Sequence, residues 1–191
     1  MKKYLLSLLL LVVAAASLPA TAADYVIDTK NDHAFIQFRI KHLGYSWLYG
    51  RFNEFKGNFS YDEKNPDAAH VSVTIDTNSI DTNHAERDKH LRSKDFFDVA
   101  KFPEAKFVST AYQQGTDGMA TLTGNLTLHG VTRPVTLNVE QVGAGPDPWG
   151  GYRRGFIGTT TLTLKDFGID YDLGPASTTA EVTLSIEGIR Q

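Results

Sequence analysis

Apolar and polar residues alternate with a period of two over most of the chain beyond residue 23. Ala34, Ile36, Phe38 and Ile40 share one phase, while Gln37, Arg39 and Lys41 hold the other. In an extended strand successive side chains point to opposite faces, so this pattern predicts a strand with one dry and one wet face. The same rhythm recurs at Val71, Val73 and Ile75, and at Ala120, Leu122, Gly124, Leu126 and Leu128. It returns at Val135, Leu137 and Val139, at Phe156, Gly158, Thr160, Leu162 and Leu164, and at Val182, Leu184 and Ile186. Phe52, Phe55, Phe59 and Tyr61 form an aromatic strand whose phase slips near Glu54, which predicts a bulge. The alternation around Phe107 to Thr110 is weaker. With a short strand over 25–28, the pattern predicts eight or nine strands.

Turn residues separate these runs at Asn65-Pro66-Asp67, at His129-Gly130 and over a 143–151 loop. Strands joined by short links make an antiparallel meander, and about eight of them can close on themselves and remove their exposed edges. The expected fold is therefore an all-β, antiparallel up-and-down barrel of about eight strands with a short α-helical insertion. A β-sandwich with a filled core satisfies the same alternation. An eight-stranded barrel has just enough interior for one small ligand. Its lining would be the dry phase: Ile36, Phe38, Ile40, Phe52, Phe55, Phe59, Val71, Val73, Ile75, Leu122, Leu126, Leu128, Val135, Leu137, Phe156, Leu162, Leu164, Val182 and Leu184.

One segment departs from the β rhythm. Asn83-His84-Ala85-Glu86 reads as a capping box, with Asn83 as the cap of a helix over 84–92 and a second turn over 95–99 before Pro103. Leu91 is the only strong apolar residue of that helix, and helical spacing puts His84, Arg87 and Asp88 on its face. These polar groups either hold the helix through a local network, His84 with Asp88 and Asp88 with Arg92, or meet a ligand at the barrel mouth.

The first residues change the address of the molecule. Met1-Lys2-Lys3, an apolar run from Tyr4 to Leu18, and Pro19-Ala20-Thr21-Ala22 form the pattern of a secretory signal peptide cleaved after Ala22. The competing reading, a membrane anchor, needs about 20 apolar residues where this run offers about 15. The expected organisation is thus a leader over 1–22 and a single domain over 23–191, located in the periplasm. The formal net charge is −3, and loss of the leader lysines makes it more negative. That argues against nucleic acid as a partner, because such proteins carry a basic footprint. The chain has no cysteine. Disulfides, thiolate metal sites, a cysteine nucleophile and a lipoprotein anchor are all excluded.

Catalytic and metal signals are poor. His84 and Asp88 at i, i+4 make half a metal site, with no third ligand at a diagnostic spacing. No G-x-S-x-G, Walker loop or H-E-x-x-H motif is present. The residues alone therefore give a barrel with room for a ligand, and no catalytic residue, metal or cofactor is expected. The loop His42-Leu43-Gly44-Tyr45-Ser46-Trp47 is rich in aromatics for a turn, and His42, Tyr45 and Trp47 there either grip an apolar chain or plug the hairpin corner. Trp149, Arg153 and Arg154 lie in a second such loop, where the two arginines meet an anionic head group or are simply solvated. The mouth candidates are then His42, Tyr45, Trp47, Asn83, His84, Arg87, Asp88, Leu91, Trp149 and Arg153.

Five stretches resemble the YceI family of bacterial periplasmic proteins. They are His33-Ala34-Phe35, residues 42–50, the helix motif Asp81-Thr82-Asn83-His84-Ala85-Glu86-Arg87-Asp88-Lys89-His90-Leu91-Arg92, Asp147-Pro148-Trp149-Gly150-Gly151, and Leu164-Lys165-Asp166-Phe167-Gly168. The resemblance runs through nearly the whole chain after the leader, and the helix motif is long and specific. It implies a lipocalin-like barrel that binds long polyisoprenoid lipids, such as a quinone tail or a polyprenyl lipid, in an elongated apolar cavity. The expected role is a periplasmic carrier of such lipids that touches membranes only transiently. The alternative is a packed barrel serving as a stress-related structural or interaction module with no lipid. Nothing in the pattern sets an oligomeric state.

Overall fold

The structure is a computed structural model that describes residues 22–31 and 33–191. The predicted leader falls almost wholly outside the described residues. Those residues form eleven strands: β1 (Ala23–Ile27), β2 (Phe35–His42), β3 (Ser46–Phe52), β4 (Phe55–Tyr61), β5 (His70–Asp76), β6 (Ile80–Asp81), β7 (Glu104–Gln114), β8 (Met119–Leu128), β9 (Val131–Pro146), β10 (Tyr152–Thr163) and β11 (Thr179–Arg190). One α-helix, α1 (Ala85–Leu91), lies among them.

All pairings are antiparallel, and three pairs of short strands each make one broken stave. β11 pairs with β2 along Ala180–Ser185 and with β1 along Gly188–Arg190. β1 and β2 pair in turn with β4 and β3, which pair with β5 and β6. The remaining staves follow in chain order from β7 to β11, and β1 bridges β4 and β11 to close the ring. The result is an eight-staved, closed up-and-down barrel, so a sandwich of two sheets is set aside.

The phase slip near Glu54 is the break between β3 and β4. Leu48 and Phe52 face inward before it, and Phe59 and Tyr61 face inward after it. The weak signal around Phe107 has a similar cause. β7 carries a register shift between Ser109 and Ala111. Buried residues change phase there, from Ala105 and Ser109 to Tyr112. Strand β9 runs on to Pro146, so the predicted 143–151 loop shrinks to 147–151.

The helix is shorter than expected and differently capped. Asn83 has φ +59° and precedes the cap. His84 is the cap, its Nδ1 accepting from the Arg87 N–H at 3.2 Å. Residues 95–99 form turns in place of a second helical turn.

Two inward-facing glycines let aromatic rings lie against the barrel wall. A Cβ on Gly124 would stand 2.6 Å from the Val108 carbonyl oxygen, and one on Gly188 would stand 2.6 Å from Phe59 Cζ. Buried apolar residues gather in two clusters. One centres on Tyr25, Ile36, Phe59, Tyr61 and Tyr112, and the other on Phe96, Leu128, Phe167 and Ile169 near α1.

Candidate binding cavity

An apolar cavity of about 780 Å³ lies inside the barrel. Ile36, Phe38, Ile40, Phe52, Phe59, Val71, Val73 and Ile75 line one half of the ring. Leu122, Leu126, Leu128, Val135, Leu137, Phe156, Leu162, Leu164, Val182 and Leu184 line the other. Phe55 is the exception among the candidate lining residues. It sits just after the chain break at Glu54 and packs on the core cluster without bordering the cavity.

Polar side chains concentrate at the end of the barrel that carries α1. Lys41, His42, Arg87, His90, Asp172 and Ser177 border the cavity there, with Leu43, Leu91 and Tyr171 between them. Arg87 is fixed by two hydrogen bonds of 2.7 Å, from Nε to Thr82 Oγ1 and from Nη2 to the Thr82 carbonyl. Asp88 is buried and accepts from the Thr82 N–H at 2.9 Å and from its hydroxyl. Arg92 donates to the carbonyls of Asn78 at 2.7 Å and Ile80 at 2.6 Å. The helix is therefore tied to the segment around β6. The structural network runs through Thr82, Asn78 and Ile80, not through the His84–Asp88–Arg92 pairs expected from spacing.

The opposite end is closed by a buried cation. Arg154 is only 2% exposed, because it shares the inward phase of Phe156 and Gly158 on β10. Its guanidinium lies 4.3 Å from the centre of the Tyr61 ring and pairs with Glu63. Burial works against its charge, but the neighbouring Tyr25 and Glu63 side chains outweigh that and raise its pKa above the ordinary arginine value. Tyr61 meets Tyr112 edge-on at 6.1 Å, and Tyr25 stacks on Phe59 at 4.7 Å. Burial, together with the neighbouring Tyr61, pushes the Tyr112 hydroxyl up to about 12.

Several mouth candidates lie elsewhere. Asp88 is spent on Thr82, and His84 caps the helix on the exposed side. Tyr45 is 88% exposed at the tip of the β2–β3 hairpin and does not border the cavity. Trp47 faces outward beneath Arg39, 4.2 Å from ring centre to guanidinium. Trp47 and Asn83 border a second, shallower depression of about 670 Å³ together with Tyr49, Arg51 and Asp81. Trp149 and Arg153 sit at the far, closed end. Trp149 is 75% exposed. Arg153 is neither solvated nor free, since it donates to Asp28 at 2.7 Å, to Asp147 at 3.0 Å and to Glu187. Burial raises the Asp28 carboxyl, but hydrogen bonds from Arg153, His33 and Asn31 override it and hold the pKa below its usual value. Asp28, His33 and Glu187 bring three potential metal donors together. The Arg153 guanidinium already supplies the positive charge among them, so this is an ion-pair cluster.

Phe96, Phe97, His90 and Tyr171 also border the cavity and were not among the candidates. They lie in turns or on a short helix, where no period-two signal exists. Tyr61 and Phe107 carried that signal and could have been taken with the rest.

A single closed meander around an apolar cavity, sealed at one end, is the architecture of lipocalin-like binding barrels. The chain belongs to the YceI-like domain family, which matches residues 25–188. A UPF0312 protein of Pseudomonas aeruginosa is 66% identical over 172 residues, covering 90% of each chain. One from Yersinia enterocolitica is 61% identical over 171 residues, covering 90% of this chain and 88% of the relative. Among solved structures, the Campylobacter jejuni YceI protein aligns with TM-score 0.71 at 26% identity, covering 80% of this chain and 90% of that one. Burkholderia cenocepacia BcnA aligns with TM-score 0.74 at 20% identity, over 84% and 98% of the two chains. A polyisoprenoid binding domain from Saccharophagus degradans aligns with TM-score 0.64 at 18% identity, over 90% and 100%. Among the described residues no helix is long and apolar enough to cross a membrane.

Proposed function

We propose that this protein binds one long isoprenoid lipid, of the quinone or polyprenyl type, and carries it through the periplasm. The observation that carries the reading is the cavity itself: about 780 Å³ of almost wholly apolar space, with its charged lining residues Lys41, Arg87 and Asp172 at one end. A tail lying along the barrel axis would place its polar head among Arg87, His42 and Lys41, which supply hydrogen-bond donors. The likeness to a polyisoprenoid binding domain supports the choice of ligand class, and the leader-like pattern of residues 1–22 supports the location. The role is one of binding and release, with no chemical step and no cofactor.

The dimensions constrain the ligand. At roughly 30 Å³ per carbon-sized site, the cavity takes on the order of 25 heavy atoms, about five isoprene units. Burying that many carbons yields a gross gain of about 20 kcal/mol at about 0.8 kcal/mol each. Ordering the chain offsets a large part of this. The tail thus supplies affinity without a strong head-group site, and selectivity follows chain length. A longer tail leaves its head-proximal units in the mouth between Leu43 and Tyr171.

The test is direct. The protein is purified from its native compartment, extracted with organic solvent and analysed by mass spectrometry. An isoprenoid in stoichiometric amount is expected. A clean extract, with no uptake of added quinone or polyprenol, refutes the reading.

A further inference from the structure

We propose that the rim of the open end is a docking surface for a phospholipid bilayer, built from the β2–β3 hairpin tip and the 170–177 segment. The inference rests on the lipid-carrier reading above. Leu43 is 58% exposed and Tyr171 47% exposed, yet both also border the cavity. Apolar surface therefore reaches from the inside of the barrel to solvent at these two points of the lip. Tyr45, the most exposed large residue of the hairpin, extends that surface outward.

The rim is built and held in place. Leu43 and Gly44 take φ +52° and +83° at the hairpin tip. A left-handed leucine is strained, and such strain persists only where the surroundings enforce it. The enforcing contacts are present. Ser177 Oγ donates to the Lys41 carbonyl at 2.5 Å, and a Cβ placed on Gly44 would stand 3.6 Å from Ala176 Cβ. Tyr171 is held edge-on by His90 at 5.2 Å and tilted against Phe96 at 4.9 Å.

The chemistry of the rim selects a bilayer interface. Tyrosine has an apolar body and a polar tip, which suits the head-group level of a membrane. The charges are mixed: Lys41, Arg87 and Asp172 border the cavity, and Asp170 is exposed in the same segment as Asp172. Attachment should therefore come from apolar insertion and respond weakly to salt. A carrier also needs such contact, because a tail crossing open water would forfeit its burial energy on the way. Exposed apolar residues at the closed end, Trp149, Val142 and Met119, provide an internal control, since Arg154 and Tyr61 separate them from the cavity.

The experiment is flotation of the full mature chain with vesicles of phosphatidylcholine and a minority of phosphatidylglycerol, alongside uptake of a prenol of about five isoprene units, the length the cavity holds. The wild type is expected to float, in low and high salt alike. Tyr45→Asp should lower the floating fraction, and the rate of prenol extraction from vesicles, about tenfold. Uptake of the same prenol added from ethanol should stay unchanged in that variant, because Tyr45 is exposed and outside the cavity. Leu43→Asp, a second site on the same lip, should also lose flotation. Trp149→Asp should float like the wild type. A wild-type protein that stays at the bottom of the gradient, or equal losses in Tyr45→Asp and Trp149→Asp, overturns the proposal. Flotation without prenol uptake would refute the carrier reading and leave the docking surface standing; uptake without flotation would do the reverse.

Discussion

Leu126→Trp separates a lipid cavity from a packed core. Leu126 sits on β8 opposite Phe107 and Arg133, with its side chain bordering the cavity. In a filled core, forcing in an indole costs about 1–3 kcal/mol. For a chain of this size that is a fall of roughly 2–12 °C in Tm. Where about 780 Å³ stands open, the ring has space, and the expected loss is under about 1 kcal/mol. The same ring removes ligand space. Displacing on the order of five carbons, at about 0.8 kcal/mol each, removes about 4 kcal/mol of gross binding. Even half of that weakens affinity more than tenfold. Calorimetric melting of delipidated protein, paired with isothermal titration of a prenol, reads both quantities. A steep drop in Tm with affinity retained would refute the cavity argument and favour a packed interaction module.

Three further outcomes follow from the polar clusters. Asp28→Asn should lower stability at neutral pH by about 1–3 kcal/mol, because a charged hydrogen-bond acceptor of Arg153 and His33 is lost. The Asp28 pKa is lowered on folding, so its contribution is complete above the unfolded value of about 3.9 and disappears as pH falls through the folded value. Urea titrations from neutral pH into the acid range should show the wild type losing stability below about pH 4 and the variant losing less. Tyr112 behaves in the opposite sense: its pKa is raised to about 12, so stability is lost as pH rises above the ordinary tyrosine range. Tyr112→Phe should flatten the alkaline limb of the denaturation profile, and an unchanged limb would contradict the buried assignment. Asp88→Ala strands the Thr82 N–H and hydroxyl. A cost of about 1–3 kcal/mol is expected, with faster amide hydrogen exchange across residues 84–92.

The strands and their inward faces followed from the sequence because side-chain direction in a strand is a local property with a period of two. Ile36, Leu126 and Leu184 could be assigned to the same interior without knowing which strands are neighbours. The slip near Glu54 was visible for the same reason, although it marks the break between β3 and β4 and not the expected bulge within one strand. Arg154 shares the phase of Phe156 and could have been placed inward, but its charge argued for solvent. Only the tertiary structure supplies Glu63, which pairs with the guanidinium, and the face of the Tyr61 ring, which together make a buried cation tenable. The mouth was out of reach for a related reason. Tyr171, Phe96 and His90 lie outside regular strands, and they meet because Leu164–Phe167 and α1 close over the same end of the ring. Trp149 and Arg153 resemble mouth residues in composition, but they sit at the β9–β10 turn, which strand alternation puts at the end opposite the β2–β3 turn. Local periodicity decides which face a residue takes, and alternation decides the end a turn reaches. Whom a residue meets there depends on pairings between strands distant in the chain.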